Sequence, residues 1–154
     1  MKKWITILLV FVLMFTLTGC GAEKNVEGKL TDLMVKVDEK LDDDLKERLI
    51  SVELDQDNVI NYLGTSDITF KEAIAEENII GAIAYSVILV RAEEGQDVEA
   101  LKKTIKENIN PRKWVCVGVE DEDVIIKSKG DLVIVIVVAD EENRKILEEG
   151  FDNL

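Results

Sequence analysis

The sequence offers few side chains of obvious catalytic type. It contains no histidine, which removes the commonest general base and the commonest zinc ligand. Two cysteines are present, Cys20 and Cys116, and 32 aspartates and glutamates outnumber 19 lysines and arginines, for a formal charge of -13. Thiols and carboxylates are therefore the groups on which any chemistry of this chain would have to be built.

Cys20 closes the tetrapeptide Leu17-Thr18-Gly19-Cys20, which directly follows an apolar run. Its thiol can take up a diacylglyceryl group as a thioether. Small Gly19 and modest Thr18 leave a peptidase room at the scissile bond, while Leu17 offers an apolar anchor. The tetrapeptide resembles the lipobox of bacterial lipoproteins, and it predicts cleavage between Gly19 and Cys20 with lipidation of Cys20.

The segment before the tetrapeptide has the length of a secretion signal. Lys2 and Lys3 precede Trp4 to Leu17, fourteen residues without a charge. As a helix this run would reach roughly 21 Å, short of a hydrocarbon core of about 30 Å. The pattern predicts a signal peptide over residues 1–19 and a lipidated cysteine with its tether over residues 20–29. Two acyl chains would hold the protein on the extracytoplasmic face of the cell membrane.

The acidic composition excludes one class of partner and leaves others open. Nucleic-acid binding needs a basic patch, and none is visible. Asp55-Gln56-Asp57 opens like a calcium loop, but Ile60 and Ser66 stand where glycine and glutamate are needed. The acidic runs 120–123 and 140–142 would clamp a hard cation only if the fold joined them. The sequence therefore predicts no metal and no cofactor.

No catalytic residue can be singled out either. Cys116 lies between two valines and is expected to be a small buried hydrophobe. Because Cys20 is assigned to lipid, Cys116 has no partner for a disulfide. Ser128 and Lys129 are adjacent in a predicted turn, where serine is common, and this interpretation is favoured over a serine–lysine dyad. Carboxylate pairs are too abundant to choose among, so a carboxylate hydrolase remains an open alternative.

The N-terminal half of the exported chain has a mixed pattern. Apolar residues at helical spacing predict an amphipathic helix, or two short ones, over residues 29–49, with a possible break at 42–44. Residues 58–63 fit either a strand or one helical turn opened by an aspartate. The capping-box spacing from Thr69 to Glu72 predicts a short helix running to about Glu77.

The C-terminal half has a clearer order of elements, β-α-(β)-β-β-α. It is predicted to contain a strand over 82–91, a helix capped by Asp97, a possible strand over 115–119, a hairpin of 124–127 with 132–139, and a helix capped by Asp140. The strand from Leu132 should be covered on both faces. Residues 30–154 are expected to form a single acidic α+β domain. Its predicted architecture is a two-layer α/β sandwich, with a mainly antiparallel sheet of three to four strands, helices on one face and an amphipathic helix in front.

This order of elements resembles an uncharacterised family of short lipoproteins from low-GC Gram-positive bacteria, classed as a domain of unknown function. The resemblance lies in the lipobox, the strand 84–91, the helix with Val98, Leu101 and Ile105, and the Lys129-Gly130-Asp131-Leu132-Val133 hairpin. It implies a location at the membrane and a fold. It implies no catalytic residue.

The function expected from these observations is that of a membrane-anchored lipoprotein with a non-enzymatic binding or accessory role at the cell envelope. The membrane would be its first partner, through the lipid, and an envelope protein a possible second one. Two alternatives stay open at this point, a small carboxylate-based envelope hydrolase and a cation- or solute-binding lipoprotein.

Overall fold

The structure of the chain, a computed structural model, describes residues 24–154. The predicted signal peptide, the tetrapeptide 17–20 and the cleavage site lie outside the described residues. Five α-helices are formed within these residues: α1 (Leu30–Val37), α2 (Asp43–Lys46), α3 (Ile60–Leu63), α4 (Val98–Asn108) and α5 (Glu141–Asp152). Five strands are formed: β1 (Leu49–Leu54), β2 (Glu72–Asn78), β3 (Tyr85–Arg91), β4 (Ile125–Lys129) and β5 (Leu132–Val138).

The strands form one sheet in the order β1-β2-β3-β5-β4, and all neighbours are antiparallel. The fold is therefore α+β with an antiparallel sheet, as predicted, but the sheet has five strands where three to four were expected. The predicted hairpin is confirmed: Lys129 pairs with Leu132, and Gly130 and Asp131 form the two-residue turn. β3 and β5 lie inside the sheet and are buried along their whole length.

Helices cover both faces of the sheet, so the prediction of helices on one face was wrong. On β5, Leu132, Ile134, Ile136 and Val138 pack into the core that α1 and α5 also line. The alternate residues Val133, Val135 and Val137 pack into a second core, lined by α3 and α4. A strand that is apolar at every position needs cover on both sides, and this cover makes three layers. We name the two sides the α1/α5 face and the α4 face.

The predicted N-terminal amphipathic helix ends earlier than expected. α1 stops at Val37 after burying Leu30, Leu33, Met34 and Val37. Two short helices are formed, which was the second alternative, but the break lies at residues 38–42 and not at 42–44, because the Asp42 side chain accepts a hydrogen bond from the Asp44 amide and so begins α2 at Asp43. Leu49, assigned to the helical pattern, is instead the first residue of β1.

The helix predicted from the capping box at Thr69 was wrong, because residues 72–78 are strand β2. β2 lies between β1 and β3 and pairs with both, and these ladders outweigh a local capping preference. Residues 58–63, for which the sequence left a strand or a helical turn open, contain the short helix α3. Asp55 begins that turn, because its side chain accepts hydrogen bonds from the amides of Asp57 and Asn58. Asp55 and Asp57, which resembled the start of a calcium loop, therefore belong to this turn.

The two C-terminal helices begin where their caps predict. The Asp97 side chain accepts from the Ala100 amide and that of Asp140 from the Asn143 amide. Gly150 of α5 lies so close to α1 that a Cβ there would come within 2.2 Å of the Val37 carbonyl oxygen. Only glycine permits this approach of the two helices.

The strand predicted over residues 115–119 was wrong, because this stretch is an irregular loop. Cys116 has a left-handed backbone, with φ of 64°, and is exposed, contrary to the expectation that it is buried. A left-handed residue cannot continue a strand. Separately, none of the helices in residues 24–154 is long and apolar enough to cross a membrane.

Candidate functional site

The first described residues are held on the domain by one buried arginine. Arg91, at the end of β3, is 5% exposed on the α1/α5 face. Its Nη1 donates to the Val26 carbonyl oxygen at 2.6 Å and its Nη2 to that of Gly28 at 2.8 Å. The segment 24–28, assigned to the tether by the sequence, is therefore docked against the sheet before α1 begins.

Two carboxylates balance the charge of this arginine. Arg91 Nε donates to Glu72 Oε1 at 2.7 Å, and Nη1 lies 3.3 Å from Asp131 Oδ1. Charge-assisted bonds of this kind are stronger than neutral ones, and a guanidinium supplies them in a rigid planar fork. We call Arg91, Glu72, Asp131 and the carbonyls of Val26 and Gly28 the anchor clamp.

The turn of the β4–β5 hairpin adds a second contact to the same segment. Gly130 has a left-handed φ of 59°, and a Cβ on it would lie 2.8 Å from both Asn25 Cα and the Lys24 carbonyl oxygen. The segment thus passes across the turn at van der Waals distance. The Lys129-Gly130-Asp131 motif that carried the family resemblance is the surface on which the chain start is docked.

An open cleft of about 690 Å³ lies beside this turn, on the side toward α4. Its wall is polar and charged and includes Lys71, Glu93, Glu94, Glu99 and Ser128. Two residues of this wall bind Lys102 of α4, whose Nζ lies 3.2 Å from Ser128 Oγ and 2.7 Å from Glu99 Oε1. Nζ donates to the serine oxygen and is at the same time ion-paired with Glu99. Lys129 instead donates to the Asp152 carbonyl.

A second polar group lies at the opposite end of the same sheet face. Glu76 of β2 is 7% exposed; its Oε1 lies 3.5 Å from the Tyr85 hydroxyl and its Oε2 3.4 Å from that of Ser51. Asp38, which follows α1, is 8% exposed and close enough to Glu76 to repel its charge. We call Asp38, Ser51, Glu76 and Tyr85 the carboxyl cluster.

The carboxyl cluster holds acids that resist ionisation. Burial, with the nearby Asp38 charge as a smaller cause, raises the pKa of Glu76 to about 7. Burial also raises the pKa of Asp38, and Lys46 opposes this shift in part. The pKa of Tyr85 is raised by burial and then by Glu76. No signal in the sequence marks this group, since Glu76 stands in a stretch that reads as an acidic helix.

A carboxylate hydrolase would need a concave cleft that contains at least two acids with raised pKa values. The structure places these two requirements apart. Asp38 follows α1 and Glu76 lies on β2, at the end of the sheet away from the hairpin, and neither lines the cleft at the hairpin turn. The described residues therefore do not bring an acid–base pair of this kind into that cleft.

One of the acidic runs considered for a cation is paired with an arginine. Arg144 of α5, the helix that Asp140 begins, donates to Asp123 Oδ1 at 2.9 Å and also to the carbonyls of Val138 and Ala139. Within residues 24–154 no group of three or more potential ligands is arranged around a metal position.

The positive residues near Cys116 are engaged elsewhere. Lys113 forms an ion pair with Glu77, and its Nζ lies 5.1 Å from the centre of the Tyr62 ring. Arg112 pairs with Glu120 at 2.5 Å. Both of these cationic side chains are therefore paired with carboxylates.

Comparison with known proteins returned no relative. The chain matches no protein-family model, and no curated protein and no solved structure is significantly similar to it.

Proposed function

We propose that this protein is a lipoprotein anchored by Cys20 to the extracytoplasmic face of a bacterial cell membrane, with a non-enzymatic binding or accessory role at the cell envelope. The observation that carries the proposal is the basic start, the apolar run of signal length and the Leu17-Thr18-Gly19-Cys20 tetrapeptide, in that order. We also propose, on the motifs quoted above, that it belongs with the uncharacterised lipoproteins it resembles.

The position at which the folded domain begins supports this proposal. The anchor clamp holds Val26, only a few residues after Cys20, and the turn at Gly130 contacts Lys24. A secreted domain cut at Gly19 would keep almost no free chain in front of it. A lipid on Cys20 would then hold the domain itself at the membrane.

The distribution of ionisable groups supports a binding role over a hydrolytic one. The hairpin cleft is open and polar, as a recognition surface is, but its serine accepts a hydrogen bond from a charged lysine. The acids with raised pKa values are buried at the other end of the sheet. An envelope protein with a basic segment fits the acidic wall of the cleft better than an anionic one does.

The proposal is tested by replacing each cysteine in turn in the full-length chain. Cells are fed an alkyne analogue of palmitate, and the protein is then followed by click labelling and detergent phase partition. We expect Cys20→Ala to abolish labelling and to leave the uncleaved precursor. Cys116→Ala is the matched control, because Cys116 is exposed and is not part of the tetrapeptide, and it should label fully. Equal labelling of both variants, or none of the natural chain, would contradict the proposal.

A further inference from the structure

The docked position of residues 24–28 limits which end of the domain can approach a lipid on Cys20. Residues 24–28 are docked by the anchor clamp and the Gly130 turn. From the α-carbon of Cys20 to that of Lys24 there are four peptide units of 3.8 Å, so the connection reaches at most about 15 Å. A free tether from Cys20 to Gly28 would be twice as long and would restrict the orientation far less.

The molecule is longer than this connection. β3 and α5 each begin at the opposite end, where the Ala139 amide donates to the Ala84 carbonyl, and finish at the hairpin end, where Arg91 pairs with Leu132 and Lys129 donates to the Asp152 carbonyl. Twelve helical residues cover about 18 Å, so the opposite end lies beyond the reach of the connection. With the lipid in the bilayer, the hairpin end is the one that stays at the membrane surface.

The local charge at the chain exit fits such a surface. Lys24, Lys36 and Lys129 line one small cavity of about 210 Å³, with Glu27 as the opposing charge, although the chain as a whole is strongly acidic. The acidic wall with Glu93 and Glu94 lies on the other side of the hairpin. Anionic phospholipids attract lysines and repel carboxylates close to the surface.

We infer that the domain lies on the membrane in one orientation, with the lysine-lined cavity at the chain exit facing the lipid phosphates and the cleft beside the hairpin opening along the membrane surface. This orientation rests on the proposed acylation of Cys20. In this orientation the membrane surface forms one wall of the cleft, so that a ligand in the cleft would be bound at the lipid interface.

The orientation is tested with fluorescent labels on two single-cysteine variants of the lipidated protein, in a Cys116→Ser background. Asn153→Cys places the label after α5 at the hairpin end. Gly81→Cys places it at the opposite end, where an added side chain meets no atom within 4 Å. Both variants are reconstituted in phosphatidylethanolamine–phosphatidylglycerol vesicles that contain a quencher on the lipid headgroup.

We expect quenching at position 153 to be at least about threefold stronger than at position 81, since the length of α5 separates the two labels. A third label, at Glu94→Cys, should give an intermediate value, because it lies on the acidic side of the hairpin. Equal quenching at 153 and 81, or stronger quenching at 81, would overturn the orientation.

A linker variant separates the clamp from other causes. A flexible Gly-Ser insertion of about twelve residues between Ala22 and Glu23 adds a mean span of about 20 Å and should remove the difference between the labels. Persistence of the full difference would show that the short connection does not set the orientation. Failure of the proposed function has a different signature, because an unlipidated chain would not join the vesicles at all.

Discussion

The two ends of the α1/α5 face bury charge in opposite ways. At the hairpin end, Arg91 meets two carboxylates and two carbonyl oxygens within hydrogen-bond range. At the other end, Glu76 has only two hydroxyl neighbours at 3.4 and 3.5 Å and a second acid nearby. A buried charge is stable when it is paired and hydrogen-bonded, and otherwise it is neutralised by a proton.

The comparison is clearest on β2, which contributes a glutamate to each end. Glu72 and Glu76 are four residues apart on the same strand and on the same face of the sheet. Glu72 is paired with Arg91, whereas Glu76 is desolvated without a buried cation. The same substitution of glutamate by glutamine is therefore expected to have opposite effects on stability at the two positions.

The largest effect should come from removing the arginine. Arg91→Leu leaves two carboxylates and two backbone carbonyls without their donor, and we expect a loss of about 3–5 kcal/mol in the free energy of unfolding. Urea denaturation measures the loss, and limited proteolysis should show cleavage within residues 24–29. Arg112→Leu is the control, since Arg112 is exposed in its pair with Glu120, and it should change stability by less than about 1 kcal/mol. Similar losses of stability in both variants would contradict the claim that the anchor clamp contributes more than an exposed ion pair.

The second effect concerns the carboxyl cluster and depends on pH. The pKa of Glu76 is raised from 4.5 to about 7, so the folded protein binds a proton that the unfolded chain releases between these values. Stability from this group is complete below about pH 4.5 and is lost as the pH rises toward about 7.

Glu76→Gln keeps the shape without the charge, and it should stabilise the protein above pH 7 by about 1–3 kcal/mol. The gain should vanish near pH 4.5, which urea denaturation at several pH values would show. Glu53→Gln, an exposed position on β1, is the control. A Glu76→Gln variant that is less stable than the natural chain at about pH 8 would contradict the assigned cause.

The smallest effect is expected at the partner of the arginine. Glu72→Gln keeps an oxygen acceptor for Arg91 Nε but removes the charge, and Glu72 is 44% exposed in its side chain. We expect a loss of about 1 kcal/mol at neutral pH, because solvent screens part of the pair. Thermal unfolding of Glu72→Gln and Glu76→Gln in the same buffer gives the sign of each change in stability. Two changes of the same sign would contradict the contrast between the two ends of the sheet face.

The sequence predicts the C-terminal half of the fold better than the N-terminal half for a physical reason. The run from Leu132 is apolar at every position and is bounded by a Gly-Asp turn and the Asp140 cap, so its structure follows from local signals. β2 contains Glu76 and Glu77, which do not favour a strand locally, and it is a strand because it pairs with both β1 and β3. Helices on both faces follow from β5 itself, because a strand that is apolar and buried at every position needs cover on both sides of the sheet.

Of the site, the sequence predicts the hairpin and misses the arginine that docks residues 24–28 beside it. In the sequence Arg91 looks like the polar end of a strand. No local signal shows that its guanidinium donates to the carbonyls of Val26 and Gly28, which stand 65 and 63 positions earlier. Such contacts depend on topology. The exposure of Cys116 was missed in the same way, since its valine neighbours suggested a strand that the left-handed backbone at residue 116 excludes.

The anchor clamp also orders events in time, because the chain is made from its N-terminus. Residues 24–28 are synthesised first, but Arg91 follows some 65 residues later, and the Gly130 turn comes last. At roughly 5–20 residues per second, the early segment waits several seconds or more for the surface on which it docks. During that interval residues 24–28 have no surface on which to dock, and completion of the hairpin supplies it.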